Sequence, residues 1–234
     1  MTVEAVVFDW GGTLSEFVDA ELVDAWRLAA RHLAPDREDE LCTRLARVEA
    51  DFWATTVTHQ RSATLADLLA AAAAAVGLDV AEALLEEAAV RHLDAWTPHI
   101  RHDPGAAAAI ASLRARGLRI GLLSNTHWPR AFHERFLARD GLLELIDARL
   151  YTSEMPYQKP HPSAFEAARS AVGAPDPARV VFVGDRPWDD VRGAQRAGMR
   201  AVLRPNPRLA DDTAITPDAT IEDLDALGEL VDRW

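Results

Sequence analysis

The chain has 234 residues, 49% of them apolar, enough to bury the core of one large domain or of a domain carrying an insertion. A formal charge of −12, from 37 acidic and 25 basic residues, argues against a nucleic-acid surface and gives no long-range attraction to an anionic ligand, so any anionic substrate needs local help. The single cysteine, Cys42, rules out an internal disulfide and a cysteine zinc site, which suits a reducing cytoplasm.

The first apolar run, "VEAVVF", predicts a strand ending at Asp9, and the start "MTVEAVVFDW" shows neither the basic segment nor the small-residue cleavage site of a secretory signal. From Ser15 to His99 no strand is predicted. The helical patterns there are "AELVDAWRLAARHLA", "EDELCTRLARVEADFWATTV", "TLADLLAAAAAAVG" and "VAEALLEEAAVRHLDAW". The apolar run "LLAAAAAAVGL" within them is too short and too rich in alanine to span a bilayer. After "RHDPGA" strands alternate with helices. The strands are "LRIGLLSN" to Asn125, "ARLYTS" to Ser153, "RVVFVGD" to Asp185 and the short "RAVLR"; the helices are "GAAAAIASLRARG", "HERFLARDGLLELI", "PSAFEAARSAVG" and "DVRGAQRAGM". The segment "PNPRLADDTAITPDAT" reads as an irregular loop before a last helix.

Strands alternating with helices, and apolar without a break, predict an α/β fold with a doubly wound parallel sheet, its strands buried on both faces. The expected organisation is a core from residues 1–14 and 100–234 with an all-helical cap over 15–99. In such sheets ligands sit beyond the carboxyl ends of the strands, where Asp9, Ser124, Asn125 and Asp185 fall. Lys159 is the only lysine in a chain otherwise served by arginine, and a tight site that needs a compact point charge would keep it. Asp9, at a strand end beside a glycine pair, is placed for in-line attack on an electrophile; capping the turn that follows is its plain structural alternative. Several carboxylates gathered at one edge require a counter-charge, which implies a divalent cation with oxygen ligands.

"VVFDWGGTL", "GLLSNT", "YQKPHPSAF" and "VVFVGDRPWDD", in this order and at these strand ends, resemble the four motifs of the haloacid dehalogenase superfamily. The insertion after the first motif is similar to the helical cap of its phosphoglycolate phosphatase-like and dehalogenase-like branches. The resemblance implies Asp9 as the nucleophile that forms an aspartyl-phosphate, Ser124 as a hydroxyl donor to the phosphoryl group and Lys159 as the neutralising cation. It implies Mg2+ held by Asp9, Asp185 and the main-chain carbonyl of Gly11. Asp190 matches the second acidic position of the last motif, with Asp189 as the competing choice; either also suits a helix N-cap. Trp10, Asn125, His127 and Arg61 are expected to contact a small phosphorylated substrate, with Thr13 supporting the turn or binding phosphate. Nothing in the sequence specifies an oligomeric state.

One departure stands out. The usual phosphatases of the family carry a second aspartate two residues after the nucleophile, as leaving-group acid and then as base for water; here that position is Gly11. Three explanations follow. The first is a leaving group that needs no proton, as in an acyl phosphate, or the family's phosphonate or carbon–halogen cleavage. The second is a proton carrier from the cap, where "TTVTHQRS" offers His59 beside Arg61, with His127 and Trp128 at least as well placed to line the site. The third is a binding module of weak or no activity. The phosphonate branch uses a cap lysine, which this cap lacks, and the "GD" aspartate disfavours the metal-independent dehalogenases.

Overall fold

The computed structural model describes residues 2–16, 22–207, 209 and 214–234. Among the described residues six strands form one sheet: β1 (Ala5–Phe8), β2 (Arg119–Ser124), β3 (Ala148–Tyr151), β4 (Val180–Gly184), β5 (Arg200–Leu203) and β6 (Ala219–Thr220). Their order is β3-β2-β1-β4-β5-β6 and every pairing is parallel. The chain order reverses at β1, so the crevice of a doubly wound sheet opens between the ends of β1 and its neighbours β2 and β4.

The strands read as continuous apolar runs because both faces are covered. Val6, Phe8, Ile120, Leu122, Val181 and Val183 face a core completed by helices α5 (Ala106–Ala115), α6 (Arg130–Arg139) and α9 (Leu227–Asp232). The alternate residues Ala5, Val7, Leu123, Val180 and Phe182 face α7 (Pro162–Ala171) and α8 (Gly193–Arg196).

Between β1 and α5 the described residues form helices α1 (Leu22–Leu33), α2 (Glu38–Ala54), α3 (Leu65–Ala75) and α4 (Glu82–Trp96), with a separate core that includes Trp26, Leu41, Cys42, Leu45, Leu69 and Ala88. A capping box starts α3: the Thr64 hydroxyl accepts from the Asp67 N–H while the Asp67 carboxylate accepts from the Thr64 N–H at 2.8 Å. The chain leaves for these helices and returns at one place. The Glu16 N–H donates to the Arg101 carbonyl, and the Asp103 N–H to that of Leu14, so the two connections run side by side as a short antiparallel ribbon. Among the described residues no helix is long and apolar enough to cross a membrane.

Three expectations are corrected. The predicted irregular loop contains β6, because Ala219 and Thr220 pair with Val202 and Leu203 at the sheet edge, a register that alternation alone could not reveal in two residues. The predicted helix "HERFLARDGLLELI" begins earlier, at Arg130, and stops at Arg139. Gly141, with φ of +72°, turns the chain there, and only a single 3-10 turn follows over Leu143–Leu145. The helix after β4 opens with a π-helical turn, Pro187–Arg192. Ala20 and Glu21 of the first cap pattern, and residues 208 and 210–213 of the loop, lie outside the described residues.

Candidate active site

β1 delivers Asp9 to the crevice: its N–H donates to the Val183 carbonyl of β4, and the residue is 6% exposed. The chain then turns tightly, the Leu14 and Ser15 N–H groups and the Ser15 hydroxyl all donating to the Trp10 carbonyl. Gly12 makes the turn at φ of +82°, and a Cβ there would stand 2.2 Å from Asp185 Oδ2. Only glycine permits both that backbone and that approach. β4 delivers Asp185, and the π-helical turn after it folds Asp190 back over Gly184, where a Cβ would lie 2.4 Å from its carboxylate.

Lys159 comes from the loop between β3 and α7. The Asn125 side chain grips its backbone at both ends, Nδ2 donating to the Lys159 carbonyl at 2.9 Å and Oδ1 accepting from its N–H at 2.8 Å. The Lys159 ammonium, 1% exposed, then donates to Asp9 Oδ1 at 2.6 Å and Asp190 Oδ1 at 2.7 Å. Asp190 Oδ2 accepts from the Arg186 N–H at 3.0 Å, so Asp190 is held at both oxygens.

The electrostatics follow from one ammonium among several buried carboxylates. Oxygens of Asp9, Asp185 and Asp190 lie within 4.8 Å of one another. Burial pushes the Asp9 carboxyl above its ordinary value, Lys159 opposing the rise and Asp190 adding to it. Burial, Asp9 and Asp190 push Asp185 up to about 7, and burial and Asp190 push Asp189 up to about 6. For Lys159 the cost of burial is outweighed by Asp190 and Asp9, which raise its pKa.

The donor set fits a hard divalent cation. Asp185 Oδ2 accepts from Asn206 Nδ2 at 2.8 Å, while Oδ1 is buried and has no hydrogen-bond partner among the described residues. A buried carboxylate oxygen left unpartnered, facing two further carboxylates, is costly unless a cation completes it.

The structure thus brings together Asp9, Lys159, Asp185 and Asp190. Ser124, 2% exposed, ends β2 at the same edge, since Phe8 is paired with Leu122. Gly11 is exposed and a Cβ on it would meet nothing within 4 Å. Thr13 is buried, its carbonyl accepting from Arg204 at 2.6 Å.

The residues expected to contact substrate are placed as follows. Trp10 turns into the core: its indole N–H donates to His102 Nε2 at 3.0 Å and its ring meets His133 and Trp128 edge-on. Asn125 spends both polar side-chain atoms on the Lys159 backbone, which makes it a holder of the lysine. His127, 3% exposed, lies in the seam between core and helical insertion, among Trp26, Phe52, Trp53 and His92, with Glu49 Oε1 at 3.6 Å from its Nε2. Burial lowers its pKa well below the ordinary histidine value. Arg61 is exposed, its guanidinium 5.4 Å from the centre of the Tyr157 ring. His59, on the same loop, is exposed as well.

Sequence reading missed Asn206, Arg186, Glu49 and Thr56. The strand-end rule points to the segment that holds Asn206, three residues beyond the end of β5. Arg186 sits inside "GDRPWDD", where partial desolvation is outweighed by Asp185, Asp189 and Asp190, raising its pKa. Thr56, just after α2, is buried and its side chain opposes the rise of the Asp189 pKa, so the insertion reaches the acidic loop. Glu49 accepts from the Trp26 indole at 2.7 Å and the Trp53 indole at 3.4 Å. No spacing along α2 announces either contact.

Comparison with known proteins agrees with this geometry. A family profile described as haloacid dehalogenase-like hydrolase matches residues 3–198. The chain is 36% identical over 121 residues to a phosphoserine phosphatase from Thermus thermophilus, covering 52% of this chain and 47% of that one. It is 40% identical over 100 residues to a phosphoglycolate phosphatase from Cereibacter sphaeroides, covering 43% of each. The chain therefore spans about half the length of these curated relatives. Its structure superposes on that of a 2-haloacid dehalogenase from Pseudomonas syringae with a TM-score of 0.75, at 27% identity over 100% of both chains.

Proposed function

The chain belongs to the haloacid dehalogenase-like hydrolases, and from that membership we propose that it is a magnesium-dependent phosphohydrolase of a small phosphorylated metabolite. The observation that carries the reading is the convergence of Asp9, Lys159, Asp185 and Asp190 at the ends of β1 and β4. The phosphatase names of its relatives support it. The helical segment 15–99 acts as the cap over a core of 1–14 and 100–234, and the reaction runs in the cytoplasm.

Asp9 attacks phosphorus in line with Oδ2, the oxygen that Lys159 does not hold; the bond from phosphorus to the leaving oxygen breaks and an aspartyl-phosphate forms. Water then attacks phosphorus, the phosphorus–Asp9 bond breaks and inorganic phosphate leaves. Lys159, fixed by Asp190 and Asn125, keeps Asp9 ionised and neutralises charge on the phosphoryl oxygens as it develops, a role that tolerates little displacement. Ser124 donates its hydroxyl to a phosphoryl oxygen, and Arg186 attracts the anion at the mouth. Asp9, Asp185 and the Gly11 carbonyl would hold Mg2+, which supplies charge neutralisation to the phosphoryl group when bound.

Because Gly11 brings no proton carrier, the best substrates are those whose leaving group needs no proton, acyl phosphates first. The test is phosphate release from acetyl phosphate and a panel of small monoesters, with and without Mg2+, for the wild type and Asp9→Asn. Magnesium-dependent release lost in Asp9→Asn is expected. Absence of Asp9-dependent release from every substrate would turn the reading toward a binding module.

Dehalogenation is the second reading, favoured by the full-length superposition on a 2-haloacid dehalogenase. There Asp9 would displace halide from carbon, and water would hydrolyse the ester. It requires halide release from short haloacids without magnesium, which the three clustered carboxylates argue against.

A further inference from the structure

We propose that Asn206 is a positioning residue that aims the Asp185 carboxylate at the metal, a refinement that rests on the magnesium reading above. The segment after β5 runs back across the carboxyl edge of the sheet, the Arg204 N–H donating to the Gly184 carbonyl at 2.9 Å. Its side chains then reach three different parts of the site. Arg204 donates to the Thr13 carbonyl at 2.6 Å and to Asp103 Oδ2 at 2.5 Å, tying the nucleophile turn to the ribbon through which the chain returns from the helices. Asn206 Nδ2 donates to Asp185 Oδ2 at 2.8 Å.

That contact closes the second side of a slot. Gly12 presses its bare backbone against Asp185 Oδ2 from one side, and the Asn206 amide lies 3.1 Å from where a Gly12 Cβ would be. Oδ2 thus has Gly12 and Asn206 against it, and Oδ1, buried and without a hydrogen-bond partner among the described residues, is the oxygen left for a cation shared with Asp9 and Asp190. The chemistry of the donor matters. A neutral amide fixes the carboxylate without adding charge, whereas a lysine or arginine there would itself neutralise Asp185 and compete with the metal. A hydrogen bond from a second residue that orients a metal-ligating carboxylate is typically worth 10–100-fold in metal affinity.

The test is titration of the metal-free protein with Mn2+, read by the loss of the free-ion electron paramagnetic resonance signal, beside thermal melting in the absence of metal. Asn206→Leu, similar in volume but without the donor, is expected to weaken Mn2+ binding about 10–100-fold while the metal-free melting temperature stays at the wild-type value. Should Asn206→Leu melt lower on its own, the smaller Asn206→Ala is read by the same titration with the same expectation. Wild-type Mn2+ affinity in both variants overturns the role of Asn206 and leaves the magnesium reading standing. A wild type that binds no Mn2+ overturns the magnesium reading itself and the inference with it.

Discussion

Under the proposed function, Gly11→Asp supplies the carboxylate that the family's usual phosphatases carry two residues after the nucleophile, and a Cβ at this position is sterically free. Among the described residues a Cβ at Gly11 meets nothing within 4 Å, and the residue is exposed and outside the left-handed region that only glycine tolerates. General acid–base assistance is typically worth about 100- to 10,000-fold. At about 1.36 kcal/mol per tenfold, that is about 2.7–5.4 kcal/mol off the barrier for a leaving group that must be protonated. The expected outcome is a rise of that size in kcat/KM for alkyl phosphate monoesters, with acetyl phosphate turnover changed by less than about threefold, since its leaving group needs no proton. The assay is phosphate release under saturating Mg2+, with Asp9→Asn in the same background abolishing the gain. A monoester rate that rises less than about tenfold in a variant that folds and binds metal normally would refute the argument, because some other group would then already be delivering the proton.

Lys159→Met removes the cation bonded to both Asp9 and Asp190; breaking such a buried set should cost the metal-free protein about 3–5 kcal/mol in urea unfolding, with saturating Mg2+ recovering part of the loss. In the metal-free protein, Asp9, Asp185 and Asp189 hold protons more tightly folded than unfolded, so the folded state carries more bound protons between about pH 4 and about 7 and stability falls as pH rises through that window. A cation reverses this by favouring the ionised form. The rise in melting temperature on adding Mg2+ should therefore be near zero at pH 5 and large at pH 8, and an equal rise at both would contradict the account. Burial raises the pKa of Glu49, which lies under the Trp26 and Trp53 indoles. Glu49→Gln keeps an acceptor and should be nearly neutral, whereas Glu49→Leu strands the buried Trp26 N–H and should cost about 1–3 kcal/mol by urea unfolding.

The sequence by itself determined the parallel sheet, the helical insertion and the residues at the strand ends. Those features are written in local signals: unbroken apolar runs for strands covered on both faces, 3.6-residue periodicity for helices, and motif order along one chain. Asp9, Asp185 and Lys159 were legible because two end strands and one is a lone lysine among arginines.

The tertiary structure decided what each side chain does once there. Trp10 adjoins Asp9 in sequence yet points to His102, because successive residues at a strand end face opposite sides of the sheet. Asn125 holds the Lys159 backbone, a pairing across 34 residues that no spacing encodes. Asn206 meets Asp185 only because β5 lies beside β4 and delivers the following segment to the same edge, next to a glycine whose missing side chain admits the carboxylate. Contacts of this kind depend on the direction in which a folded backbone aims a side chain, a property of the assembled sheet and absent from any single segment.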